Sequence, residues 1–177
     1  MPHHKDPQEW HHADDHVFTY FVRRTGEEIK IKASVEDLPV LSKLRWGIDG
    51  KGRAYTDWRT GKYESMHRVI MSPPDGLVVD HINCDHTDNR RSNLRICTHA
   101  QNLLNQKPAK SSAVGYKGVS FDKDGRKNPY RAKIALKTKQ ITIGSFETAK
   151  EAALAYDRVA SKLHGEYAKT NRDLGLL

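Results

Sequence analysis

Apolar and polar positions along the chain change period several times. VFTYFV (17–22) and IKIKASV (29–35) alternate or nearly alternate, as half-buried strands do, and Thr25-Gly26-Glu27-Glu28 between them reads as a turn. Glu36-Asp37-Leu38-Pro39-Val40-Leu41 reads as a short helix capped by Ser34. The glycines of WGIDGKGRAYTD mark a further turn, with Ala54-Tyr55-Thr56 extended after it. Met66–Met71 enters a buried strand or short helix, and Ser72-Pro73-Pro74-Asp75-Gly76 breaks the chain. Past residue 114 the alternation returns in YKGVSFD, YRAKIAL and KQITIGSF. Ala149, Ala152, Ala153, Tyr156, Ala160 and Leu163 then recur at helical spacing behind a Thr148–Glu151 capping box, and Gly165 follows as a stop.

These periods predict an α+β chain. Residues 1–16, with five histidines, read as a mobile tail; 17–66 as a β-rich subdomain; 67–105 as a separate core; 106–113 (QKPAKSSA) as a linker; and 114–177 as a three-stranded antiparallel sheet packed on one helix.

The stretch VVDHINCDHTDNRRSNLRICTHAQN (78–102) is odd for a core element. It begins like a buried strand, yet an Asp-His pair follows at once, then a loop crowded with Asp, Asn and Arg. The expected order is strand (77–81), long loop, strand (94–97), then a helix opened by Thr98-His99-Ala100-Gln101, with Asn102 in its first or second turn. Phosphodiester cleavage needs a nucleophilic water, a base for its proton and positive charge where the 3′ oxygen leaves. A neutral imidazole at His81 suits the base. A hard divalent ion needs few protein oxygens, and the Asp80 carboxylate with the Asn102 amide oxygen would suffice.

At these residues the chain resembles the ββα-metal site of HNH endonucleases, in the branch found in phage and intron-encoded homing enzymes. The spacing of 12 residues from His81 to Asn93 and 9 from Asn93 to Asn102 suits that pattern. The resemblance implies that Asp80 and Asn102 are metal ligands, His81 is the general base, and Asn93, grouped with the catalytic residues, fixes the loop. It implies Mg²⁺ or Mn²⁺ as cofactor and double-stranded DNA as partner, with one site per chain predicting nicking by a monomer. No structural zinc is expected, because Cys84 and Cys97 are too few for a thiolate cage. His67, Arg68, Arg90, Arg91 and Arg95 are candidate DNA contacts, although one of the arginines would also suit Asp85 or Asp88. His86 and His99 read as solvent-facing or phosphate-contacting.

Charge adds a second indication. The net +8 arises entirely after residue 102, where 15 Lys/Arg face 7 Asp/Glu, a balance that favours a polyanionic partner. Within it, YKGVSF, YRAKI and ITIGSFETAKEAALAYDRVASKLHGEYAKTN resemble the Apetala-two/ethylene-response-factor DNA-binding domain. In that family the sheet lies in the major groove and the helix supports it from behind. The exposed sheet positions would then be Lys117, Ser120, Arg131, Lys133, Gln140 and Thr142. Several positions that hold Arg or Trp in the plant proteins are Ser120, Ala135, Gln140 and Thr142 here, so the plant recognition sequence does not carry over.

Mean hydropathy of −0.77 and the lack of any long apolar run give no expectation of a membrane span. Two cysteines and an N-terminus without an apolar stretch point to a reducing cytoplasm, bacterial or of a phage-infected host. Two rival readings stand beside the nuclease: a non-catalytic DNA-binding protein on a nuclease scaffold, and an RNA-binding or RNA-cleaving protein.

Overall fold

The structure, a computed structural model, describes residues 8–56, 63–108, 114–125, 127–136 and 139–177. The chain divides into two compact units, residues 1–98 and 99–177. The break falls between Thr98 and His99, ahead of the linker expected at 106–113. Part of that linker, residues 109–113, lies outside the described residues.

In the first unit, β1 (His11–His12), β2 (Val17–Val22) and β3 (Glu28–Ala33) form an antiparallel meander. Alternation decides its faces. Val17, Thr19 and Phe21 are buried opposite Ala33, Ile31 and Ile29, while Tyr20 and Val22 stay exposed. The tail expected through residue 16 is corrected here. His11 and His12 pair with Phe18 and Val17, and the His11 ring stacks on Phe18 at 5.2 Å, so ladder and aromatic contacts hold this segment. Residues 1–7 lie outside the described residues.

A short 3₁₀ turn leads into α1 (Leu38–Leu41), then β4 (Trp46–Ile48) and β5 (Ala54–Thr56) form a hairpin. Ser34 makes no side-chain cap bond to that turn; its Oγ instead accepts from the Arg91 backbone N–H at 2.9 Å. Met66–Met71 is helical (α2), ended by Ser72 in the left-handed region. After it, β6 (Val78–His81) pairs antiparallel with β8 (Leu94–Cys97), and the loop between them contains a two-residue strand, β7 (Asp88–Asn89), which runs parallel to β3. Nothing in the sequence periodicity marked β7.

One hydrophobic core runs through all of this. Val17, Phe21, Ile31, Leu41, Trp46, Met66, Ile70, Val79 and Leu94 belong to a single buried cluster. The boundary expected between residues 66 and 67 is therefore not a domain boundary. Met66 is fully buried at the start of α2, and a large side chain of this kind contributes about 1.5–3 kcal/mol when removed from water, so neither half would be closed without the other.

The second unit begins with α3 (His99–Leu104) and continues with β9 (Val119–Phe121), β10 (Tyr130–Leu136), β11 (Lys139–Phe146) and α4 (Ala149–His164). The three strands form an antiparallel sheet in the order β11-β10-β9. Val119, Ala132 and Ile134 pack against Ala152, Ala153, Tyr156 and Ala160 of α4, which starts at a full Thr148–Glu151 capping box. Leu163, assigned to the apolar stripe by spacing, is 46% exposed, because it lies in the last turn of α4 beyond that cluster. Gly118 is held at φ +72°, and a Cβ there would sit 2.1 Å from the Tyr156 ring, so only glycine allows the strand to approach the helix. Asn171, fully buried, accepts from Lys117 N–H and donates to Lys117 C=O and to Asp157, tying the segment after α4 to the strand entry.

Candidate active site

Strand β6 delivers Asp80 and His81 as its last two residues, and strand alternation sends their side chains to opposite faces. Both are buried, at 5% and 4% exposure. The ladder register sets Asp80 opposite Arg95 of β8. Arg95 donates Nε and Nη2 to Asp80 Oδ2 at 2.9 and 2.7 Å. A buried carboxylate is costly unless its charge is answered, and this guanidinium answers it.

His81 lies at the centre of a polar cluster. Its Nε2 is 3.2 Å from Asn89 Oδ1. The edges of His67 and His86 approach it with ring centroids at 5.0 and 5.2 Å, both near perpendicular. His67 in turn bonds Ser65 Oγ through Nε2 at 3.1 Å. Burial pulls the His67 imidazole down to about 3, aided by the neighbouring imidazoles of His81 and His86. Burial also lowers His81, with the Asn89 bond opposing it. Both rings are thus neutral near pH 7 and suited to accept a proton. A cavity of about 380 Å³, lined by Arg53, Tyr55, Tyr63, Glu64, His67 and Arg68 among others, lies on the His67 side.

Asn93 spans the loop. Its Oδ1 accepts from Asn83 N–H at 3.0 Å, and its Nδ2 donates to Asn83 Oδ1 at 3.0 Å and to Asp88 C=O at 2.8 Å. The turn that follows His81, closed by Cys84 N–H to His81 C=O at 2.8 Å, is held against the base of the loop by these three bonds.

Of the expected phosphate-contacting arginines, Arg90, Arg91 and Arg95 have carboxylate partners within the chain, as the reading of one of them beside Asp85 or Asp88 had allowed. Arg90 is forked onto Asp88, with 2.8 Å bonds from Nε and Nη2, and also reaches Asp15. The Arg90 guanidinium holds the Asp88 carboxyl below its usual range. Arg91 grips buried Asp37 at 2.7 Å. Arg95 is committed to Asp80. Arg68 donates to Leu77 C=O at 3.4 Å and lines the cavity. Sequence reasoning missed Asn89 and the contact of His86 with His81; neither carries a local signal that separates it from the other polar residues of the loop.

Asn102 lies in α3 and so in the second unit, half-buried. In that unit the register gathers expected sheet positions on the face away from α4: Ser120 opposite Arg131, Thr142 opposite Lys133, and Gln140 opposite Ala135. Three of the six expected positions have the following surroundings. Lys117 precedes β9 and its ammonium binds Leu104 C=O. Arg131 is ion-paired with Asp122. Ser120 Oγ is buried and has no hydrogen-bond partner among the described residues. Gln140 and Thr142 are exposed and Lys133 is half-buried.

The family model for HNH endonucleases matches residues 72–104, the segment that contains β6, the loop, β8 and α3. An uncharacterized HNH endonuclease of Acanthamoeba polyphaga mimivirus is 30% identical over 164 residues, spanning 89% of this chain and 83% of its own length. The chain belongs to the HNH endonuclease family. Protein 3.8 of Escherichia phage T7 is 30% identical over 96 residues, which is 54% of this chain and 77% of that protein. Dehydration-responsive element-binding protein 2E of Arabidopsis thaliana is 48% identical over 48 residues, covering 26% of this chain and 20% of its own. No solved structure matches. Among the described residues no helix is long and apolar enough to cross a membrane.

HNH endonucleases generally use a divalent metal. Among the described residues no group of three or more His, Cys, Asp and Glu converges as a metal cage. The Asp80 carboxylate offers hard oxygen, a donor that suits a hard ion that keeps most of its water. Such an ion would share Asp80 with Arg95.

The neutral imidazoles of the HNH site carry a pH signature. The folded-state value of His67 lies below its ordinary 6.5, so the unfolded chain takes up protons first as the pH falls. Stability is therefore retained above about 6.5 and drains away between there and about 3. The carboxylates of Asp49 and Asp88, held below their ordinary 3.8, add their own loss only under that value. Thermal midpoints measured against pH should begin to drop well above 3.8, and His67→Gln should flatten that upper part of the curve. A midpoint flat down to the carboxylate range would refute the neutral-cluster account.

Proposed function

We propose that this HNH protein hydrolyses phosphodiester bonds of double-stranded DNA, with His81 as general base and a divalent ion, Mg²⁺ or Mn²⁺, held by Asp80 and Asn102. The observation that carries the reading is the buried imidazole of His81, anchored at Nε2 at the end of β6, one residue after Asp80. His81 takes a proton from water, which attacks phosphorus, and the chain's own contacts keep the ring from turning away. The ion, when bound, supplies positive charge beside the departing 3′ oxygen. Asn93 contributes by keeping the loop after His81 in one shape. The products carry 5′-phosphate and 3′-hydroxyl ends.

The second unit targets the reaction. Its outer sheet face carries Lys133, Gln140 and Thr142 beside the Arg131–Asp122 pair, polar groups that could meet base edges and phosphates in a major groove. The stretch shared with a plant protein named for binding a responsive element supports the same use. Tethering then raises the local concentration of the nuclease at DNA. A monomer with one site nicks, and the phage and viral relatives suggest a phage or mobile-element origin and work in the cytoplasm of an infected host.

The test is relaxation of supercoiled plasmid. Nicking is expected with Mg²⁺ or Mn²⁺ and is expected to stop when a chelator is added. Competition by duplex DNA should exceed that by RNA at equal, stated salt. Chelator-insensitive cleavage, or stronger competition by RNA, would overturn the assignment.

A further inference from the structure

Asn89 is 1% exposed, and its side chain makes one hydrogen bond among the described residues, from Oδ1 to His81 Nε2 at 3.2 Å. Its Nδ2 is buried with no partner among the described residues. An amide kept for packing alone would satisfy both ends, and leaving a buried donor unpaired is costly. Its place in the fold asks for no polar group. Strand β7 is joined to β3 through the backbone, with Asn89 opposite Ala33, which is fully buried. Loop fixing does not require it either, because Asn93 already makes those bonds. The Asn89 amide is directed at the imidazole alone.

We propose that Asn89 is the positioning residue that sets the tautomer of His81: its Oδ1 accepts the Nε2 proton, so the lone pair that receives the proton of water resides on Nδ1. The proposal rests on His81 acting as general base. A neutral imidazole has one N–H and one lone pair, and an acceptor at Nε2 selects which nitrogen is basic. Without that acceptor nothing at Nε2 selects between the two tautomers, so part of the population presents the wrong nitrogen. Strand β7 is the device that fixes this choice, because β3 holds it in register while His81 arrives on β6.

The test uses the full chain with ¹⁵N-labelled histidine, at a pH well above the ordinary imidazole pKa. Long-range proton–nitrogen spectra report the tautomer, and the His81 signals are assigned by their loss in His81→Gln. The wild type should show the Nε2–H form. In Asn89→Ala the pattern should become mixed, and kcat for plasmid nicking should fall on the order of 10²-fold with KM unchanged. Asn89→Asp, which keeps an acceptor at the same place, should restore the Nε2–H form and most of kcat. A wild-type His81 protonated at Nδ1, or a tautomer that Asn89→Ala leaves unmoved, overturns the proposal. The wild-type spectrum decides even if a variant fails to fold. An Nε2–H wild type that never cleaves DNA supports the tautomer assignment and removes the nuclease reading, so the two failures are separable.

Discussion

His81→Ala is expected to slow plasmid nicking in Mg²⁺ by about 10²- to 10⁴-fold, the range that a positioned general base supplies. Two features of the site make this effect large. His81 is buried and held neutral, and the neutral imidazole beside it, His67, is already bonded to Ser65. His67 touches His81 with its ring edge. The variant also leaves Asn89 Oδ1 without its partner, at a cost of about 1–3 kcal/mol, which a folded unit should survive. Circular dichroism establishes that it has folded. Nicking at the wild-type rate by folded His81→Ala would show that cleavage, if present, arises elsewhere.

Arg95→Met should be the most damaging single change to stability. Asp80 and Arg95 are buried together, with side chains 6% and 13% exposed, and removing the cation leaves a carboxylate in a low-dielectric site. Breaking such a pair costs about 3–5 kcal/mol, far more than losing an exposed ion pair. Urea unfolding in metal-free buffer measures it. The double variant Arg95→Met/Asp80→Leu should recover most of the loss, since the penalty comes from the orphaned charge and not from the missing bond. If Arg95 were chiefly a phosphate contact, the single variant would instead unfold at the wild-type midpoint and show a shallower salt dependence of DNA binding. That outcome would sink the pairing account.

The pairing of the arginines has one physical root. Arg90, Arg91 and Arg95 looked alike in the sequence, three cations in a polar loop next to a suspected nuclease site. Each answers a buried carboxylate: Asp88 two residues away, Asp37 from 54 residues upstream, and Asp80 from across the ladder. Only the first pairing is local, and only it was within reach of sequence reasoning. Lys117 and Arg131 show the same in the second unit, where Leu104 C=O and Asp122 engage charges that the family resemblance had placed on an outward face.

What the chain determines by itself is the set of local elements and the residue types brought to one strand end. Alternation in VFTYFV and YRAKIAL specifies strands because the two faces of a strand meet different surroundings, and Thr148–Glu151 specifies a helix start because both capping bonds lie within four residues. The placement of Asp80 beside His81 is equally local. Tertiary structure alone decided that residues 17–66 and the motif share one core, that β7 forms against β3, and that Asn89 and Asn93, amides four positions apart, turn one to the imidazole and the other to the loop. Those choices depend on which distant backbone packs alongside, and side-chain polarity carries no record of the partner that burial will supply.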